Sequence, residues 1–226
     1  MSGGERGGAQ ISQFFVGVDL GQVNDPTAIA VVERAELVGA WDHSAWAFRK
    51  KIECRLRGLT RLPLGMKYTE IERNVVQMVE AMALRGKCEV LVDATGVGIA
   101  VVDYLRESLA GRPTRAVMVT PGQTERSDEQ FDYVPKRDLM VGLELLLERD
   151  ELKIAKTLKY GEALKKEMAD MRVKVTPAGH EQFGAWRQGE HDDLVFAVAL
   201  ACWGAGKRYP RKLTGREAYW IGKILR

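Results

Sequence analysis

The chain is predicted to be an α/β protein with one mixed central sheet, an antiparallel meander followed by parallel β-α units, flanked by helices. Three observations predict this. Apolar runs separated by turn residues fill positions 14 to 54, and from Thr69 helical stripes alternate with short apolar runs. A wholly apolar run, Leu194 to Ala201, then closes the patterned region.

The elements follow in order. Residues 14 to 19, 27 to 34 and 45 to 54 read as three strands, because Asn24-Asp25-Pro26 is strong turn chemistry and residues 39 to 44 form a second polar break. Ile71, Val75, Met78, Val79 and Met82 lie on one helical face, and Cys88 to Asp93 reads as a buried strand. A helix over 97–110 and a strand over 115–119 complete the alternation, which requires parallel pairing with right-handed crossovers. Thr120 to Val134 reads as a long polar loop, a candidate functional segment by its length. Lys136 to Arg149 is an amphipathic helix, 152–154 a short strand and Lys159 to Met171 another helix. Val173 to Val175 with Glu181 to Trp186 suits a hairpin, and His191 opens the last helix.

Length and composition suit a single globular domain, with 226 residues, 46% hydrophobic and 29% charged. The apolar runs are too short to cross a bilayer and the Gly-rich start has no signal-peptide core, so no membrane association and a cytoplasmic location are expected. Cys54, Cys88 and Cys202 are odd in number and widely spaced, which argues for reduced core thiols and against a disulfide framework or a zinc site. Residues 1–13 are expected to form a flexible N-terminal segment, 14–206 the folded domain, and 207–226 a basic tail.

A net charge of +3 does not by itself name a partner, but the basic residues are clustered. One cluster runs from Arg49 to Arg61 and another from Lys207 to Arg226. Singly, each is more often a solvated face than a phosphate track.

Three acidic segments carry the chemistry: Val18-Asp19-Leu20-Gly21, Val92-Asp93-Ala94-Thr95-Gly96 and His191-Asp192-Asp193-Leu194. Each places an aspartate where an apolar element ends or begins, and a carboxylate there is costly unless something neutralises it. A meander that continues into β-α units has its switch point between the first and fourth strands, where ligand sites form. Neighbouring strands lie ~4.8 Å apart, so Asp19 and Asp93 would present carboxylates to a shared cation. Oxygen-only ligation favours Mg²⁺ or Mn²⁺ over zinc. With Asp192 or Asp193 supplied by the last helix, two ions about 3.5 to 4 Å apart would be held. Read singly, Asp19 and Asp25 also suit a turn, Asp93 a strand end, and Asp192 and Asp193 the first turn of a helix.

Softer signals surround them. Gly96 and Gly98 would let a nucleic-acid backbone approach the following helix start, or would simply permit a tight turn. Lys136 and Arg137 oppose the dipole at a helix N-terminus, which hints at a nearby anion, although solvation explains them as well. His191 is a candidate proton carrier, with capping the commoner role. Trp186, Trp203 and Trp220 read as packing residues.

These segments resemble the nuclease domain of the phage large terminase, a DNA-packaging enzyme with an RNase H-like fold. The resemblance spans roughly 14 to 205. It rests on Val-Asp-Leu-Gly-Gln-Val-Asn-Asp-Pro-Thr-Ala from Val18, Val-Asp-Ala-Thr-Gly-Val-Gly from Val92 and His-Asp-Asp-Leu-Val-Phe-Ala from His191. Val134 to Leu139 and Phe183 to Trp186 add to it. It implies an RNase H-like domain over 14–206 and metal-dependent DNA endonuclease activity. Asp19, Asp93 and Asp193 would be metal ligands, with Asp192 an alternative or additional one and Asp25 an outer contributor. Hydrolysis by two Mg²⁺ or Mn²⁺ ions is implied, with Asp19 bridging them. Double-stranded DNA is the expected partner, alongside a separate ATPase motor or the phage portal and small terminase, in a bacterial host carrying a phage or prophage. No Gly-x-x-x-x-Gly-Lys-Ser/Thr loop occurs, so the chain would cleave DNA without driving packaging. Two other readings fit parts of the pattern. A Holliday-junction resolvase uses a similar acidic sheet edge, and Asp-Leu-Gly with Asp-Ala-Thr-Gly-Val-Gly resembles the phosphate loops of an actin/Hsp70-like phosphotransferase.

Overall fold

Phe14-Phe15-Val16-Gly17-Val18 is apolar on both faces, as a strand buried between two helical layers must be. It forms the centre of β1 (Gln10–Asp19) in a computed structural model that describes residues 10–21, 25–83, 87–96, 98–109, 111–175, 181–184 and 191–206. β1 pairs antiparallel with β2 (Ala28–Asp42), which pairs antiparallel with β3 (Ala47–Arg61). After α1 (Tyr68–Ala83), β4 (Lys87–Asp93) returns to the other side of β1 and pairs parallel with it. α2 (Gly98–Ser108) leads to β5 (Thr114–Thr120), parallel to β4. The meander and the parallel half therefore meet between β1 and β4.

Beyond β5 lie β7 (Phe131–Pro135), parallel to it, and the short β6 (Arg126–Ser127) at the sheet edge. α3 (Lys136–Glu148) crosses back to β8 (Leu152–Ile154) on the far side of β3. The eight-stranded order is β6-β7-β5-β4-β1-β2-β3-β8. α4 (Gly161–Asp170) follows, then an antiparallel pair of β9 (Arg172–Val175) and β10 (Glu181–Gly184), and finally α5 (Asp193–Gly206).

Period-two alternation assigns the two sheet faces to two cores. Val16, Val18, Val90 and Val92 pack with α1 and α2 through Ile71, Val75, Val79, Val102 and Leu105. Phe15, Ala28, Val32, Leu56, Leu59 and Leu91 pack on the opposite face with α3, α4 and α5. α5 is buried almost all round, as expected of a helix apolar on every side. It crosses directly over β1 at Gly17, where a Cβ would stand 2.1 Å from the Ala197 carbonyl oxygen.

Three expectations need correction. β1 starts at Gln10 rather than 14, because Gln10 to Gln13 pair with Leu37 to Arg34 of β2, so part of the expected flexible segment is sheet. The polar break at 39–44 does not end β2. The hairpin runs on through a cross-strand Trp41–Phe48 pair, and the turn is His43 to Trp46. The expected loop 120–134 contains β6 and β7, held by Arg115 of β5, whose guanidinium lies 2.6 Å from Asp132 and 3.5 Å from Glu89 of β4. Among the described residues no helix is long and apolar enough to cross a membrane. The 207–226 tail, Trp186 and Trp220 lie outside the described residues.

Candidate active site

The C-terminal ends of β1 and β4 set the first two carboxylates. Val18 pairs with Val92 in the parallel ladder, so Asp19 and Asp93 are the next neighbours along adjacent strands. Both stand on the face of Phe15 and Leu91, beneath α5. The row continues sideways, since Asp19 pairs with Ala28 of β2 and Ala28 with Arg61 of β3. Asp93, Asp19, Ala28 and Arg61 thus form one line across four strands.

α5 brings its own acids to this line. Burial, then Asp93, Asp192 and Asp193, push the Asp19 carboxyl well above the usual carboxylate range, and Lys136 pulls it back. Asp93 is also raised, by burial. Thr95 counters this, its backbone N–H donating to Asp93 Oδ1 at 2.8 Å, and so does Lys136. The four aspartates therefore act on one locus despite their distance in sequence.

Two cationic side chains border the cluster. Lys136, at the start of α3, places Nζ 3.6 Å from Asp192 Oδ2 and 4.2 Å from the Phe196 ring centre. It is turned toward the acids. Arg61 grips Asp193 in a two-point fork, with Nε donating to Oδ2 at 2.7 Å and Nη2 to Oδ1 at 3.0 Å. The same Nη2 donates to Glu167 Oε1 of α4. Glu167 Oε2 accepts the backbone N–H groups of Leu194 at 3.1 Å and Val195 at 3.3 Å, fastening the first turn of α5. Burial and then Asp193 raise the Glu167 carboxyl to about 7.

The other sequence candidates sit around this centre. His191 is exposed, with Nδ1 4.0 Å from Asp193 Oδ1. Asp25 is exposed and borders a cavity of about 210 Å³ walled by Gly21, Thr27, Met66 and Tyr68. Gly96 turns the chain after β4 at φ 81°, a backbone that suits glycine, and Gly98 opens α2. Arg137 is exposed on the first turn of α3.

Sequence reasoning missed Arg61 and Glu167. Arg61 belongs to the basic stretch from Arg49, and that stretch is paired in the structure with carboxylates. Arg49 meets Asp42, Lys50 meets Glu36, Lys51 and Arg55 meet Glu53, and Arg57 meets Glu33. Glu167 had one legible signal: it occupies the same helical stripe as Leu164, a position otherwise apolar.

The donor set suits a hard divalent cation. Five carboxyl groups, those of Asp19, Asp93, Asp192, Asp193 and Glu167, face two cationic side chains, a donor set made of oxygen alone. The side chains are not drawn in around one point, and among the described residues no three His, Cys, Asp or Glu side chains are grouped to hold a single ion. Asp193 in particular is turned to Arg61.

The fold is shared with known nucleases. The chain is similar to the large terminase nuclease of thermophilic phage G20c, a structure with bound magnesium, at 21% identity and a TM-score of 0.54, over 87% of this chain and 84% of that one. It is similar to the nuclease domain of the large terminase subunit gp2 of bacterial virus Sf6, at 17% identity and a TM-score of 0.53, over 87% and 88%. A variant of that Sf6 domain with manganese and beta-thujaplicinol gives 16% identity and a TM-score of 0.54, over 88% and 89%. No family model and no curated protein matches the sequence. The architecture is the RNase H-like fold of the terminase nucleases.

Proposed function

We propose that this RNase H-like chain is a metal-dependent endonuclease that hydrolyses phosphodiesters of double-stranded DNA. What supports the reading is the sheet register that sets Asp19 beside Asp93 at the strand ends, with Asp192 and Asp193 at the start of α5 above them and Lys136 turned toward the acids. Asp19, Asp93 and Asp192, with Asp193, would hold Mg²⁺ or Mn²⁺. When bound, such ions supply Lewis acidity toward a phosphodiester and an activated water nucleophile.

The chain's own residues do the rest. Thr95 fixes the Asp93 carboxylate through its backbone N–H, and Lys136 offsets the charge of Asp19, Asp93 and Asp192. Glu167 holds the α5 start above the sheet row. Gly96 would keep the approach beside Asp93 free of a side chain, and His191, with Nδ1 4.0 Å from Asp193 Oδ1, would carry a proton. A separate motor or phage assembly component would deliver the duplex.

Asp19→Asn tests the reading. The variant is expected to lose Mn²⁺-dependent nicking of supercoiled plasmid while keeping its circular dichroism spectrum. Its melting temperature without metal should rise, because a buried charge repelled by its neighbours has been removed. Undiminished nicking by this variant would refute the assignment.

A further inference from the structure

The Arg61 fork is an unusual companion for a candidate metal ligand. Asp193 is 4% exposed, and the guanidinium takes both of its oxygens from the β3 side. Arg61 lies in register with Asp19 two strands away, roughly 9 to 10 Å across the sheet, and only Ala28 stands between them in the row. Its second acceptor, Glu167, is held through its other oxygen by the backbone amides of Leu194 and Val195, so that a turn of the Asp193 side chain alone breaks neither bond.

We infer that Arg61 is a resident counter-cation that competes with a divalent ion for the Asp193 carboxylate, with Glu167 as the fixed acceptor that retains Arg61 when Asp193 turns to the ion. The inference rests on the proposed metal site and assigns Arg61 and Glu167 as positioning residues within it. Its physical basis is charge economy. A buried carboxylate without a partner is costly, so the cluster carries its own cation until a metal replaces it. The arrangement sets a threshold for metal: an ion must be favourable enough at Asp193 to displace a two-point, charge-assisted pair.

The consequence is a reciprocal coupling between the Arg61 fork and metal affinity. Arg61→Lys keeps the charge and loses the fork, so Mn²⁺ should bind about tenfold more tightly than to wild type. Glu167→Gln turns the rival acceptor from a carboxylate into a neutral amide oxygen and shifts Arg61 toward Asp193, so Mn²⁺ should bind more weakly. Arg61→Gln should bind Mn²⁺ at least as tightly as Arg61→Lys, and its melting temperature should fall without metal and recover with it.

The experiment is calorimetric titration of the full chain with MnCl₂, paired with melting temperatures with and without Mn²⁺. The two glutamine variants and Arg61→Lys are compared with wild type and Asp19→Asn. Tighter binding by Arg61→Lys with weaker binding by Glu167→Gln is the expected pattern. If Arg61→Lys binds Mn²⁺ no more tightly than wild type while Asp19→Asn loses binding, the metal site stands and the competition is overturned. Equal binding by wild type and Asp19→Asn removes both the site and the competition.

Discussion

Gly17 shows how one missing side chain positions the candidate site. α5 rests so close to β1 that a Cβ at 17 would stand 2.1 Å from the Ala197 carbonyl and 2.7 Å from the Ala201 amide nitrogen, and both are backbone atoms. Gly17→Ala must therefore lift the helix that carries Asp192 and Asp193. The expected loss is about 1 to 3 kcal/mol, the usual range for overpacking, read as a lower urea midpoint with an unchanged slope. A midpoint equal to wild type would show that the helix has room. At this scale Asp19, Asp93 and the acids before Leu194 were legible because each interrupts an apolar run, and charge at such a place needs a reason. Arg61 was not legible. Its neighbours in sequence are surface cations, and its carboxylate partners lie 106 and 132 residues away.

Across the meander, one buried glutamate ties three strands together. Ser12 Oγ of β1 donates to Glu33 Oε1 at 2.6 Å, and Arg57 of β3 donates to Oε2 at 2.6 Å. Burial opposes ionisation of Glu33, yet the Ser12 and Arg57 hydrogen bonds outweigh it and hold the carboxyl below its ordinary 4.5. A carboxyl depressed on folding contributes stability above its unfolded value, and that contribution is lost as pH falls through the folded value. Glu33→Gln should therefore melt below wild type at pH 7, by roughly 1 to 3 kcal/mol given a pair between exposed and buried. The gap should close as pH drops below 4.5. A constant gap across that window would mean that packing, rather than ionisation, sets the difference. The hairpin was recognisable as two strands, but its length was not, since pairing resumes at Trp41 and Asp42, beyond an irregularity, among residues whose composition reads as turn. β7 was hidden for a similar reason: Phe131, Tyr133 and Val134 form a short run amid charged residues, and only the β5 edge makes it a strand.

For the whole molecule, a net charge of +3 hides an uneven distribution, with seven Lys or Arg residues in the 207–226 segment. The stretch from Arg49 to Arg61 is engaged by carboxylates of its own hairpin and of the candidate site, so under the proposed function the C-terminal segment is the better source of cations for a phosphate backbone. Removing 207–226 should weaken duplex binding and flatten its dependence on salt, by about 0.9 in the logarithmic slope for each phosphate that is no longer neutralised. Filter binding at several salt concentrations measures this, and an unaltered slope would place the phosphate-binding cations elsewhere. The sequence by itself determined the fold class, the switch point between the first and fourth strands, and the three acidic segments, because apolar period and the cost of an isolated buried charge are local properties. Only the tertiary structure decided which acids meet which cations. Lys136 on Asp192, and Arg61 between Asp193 and Glu167, depend on strand register and on where α4 and α5 settle, and those are set by packing between distant parts of the chain.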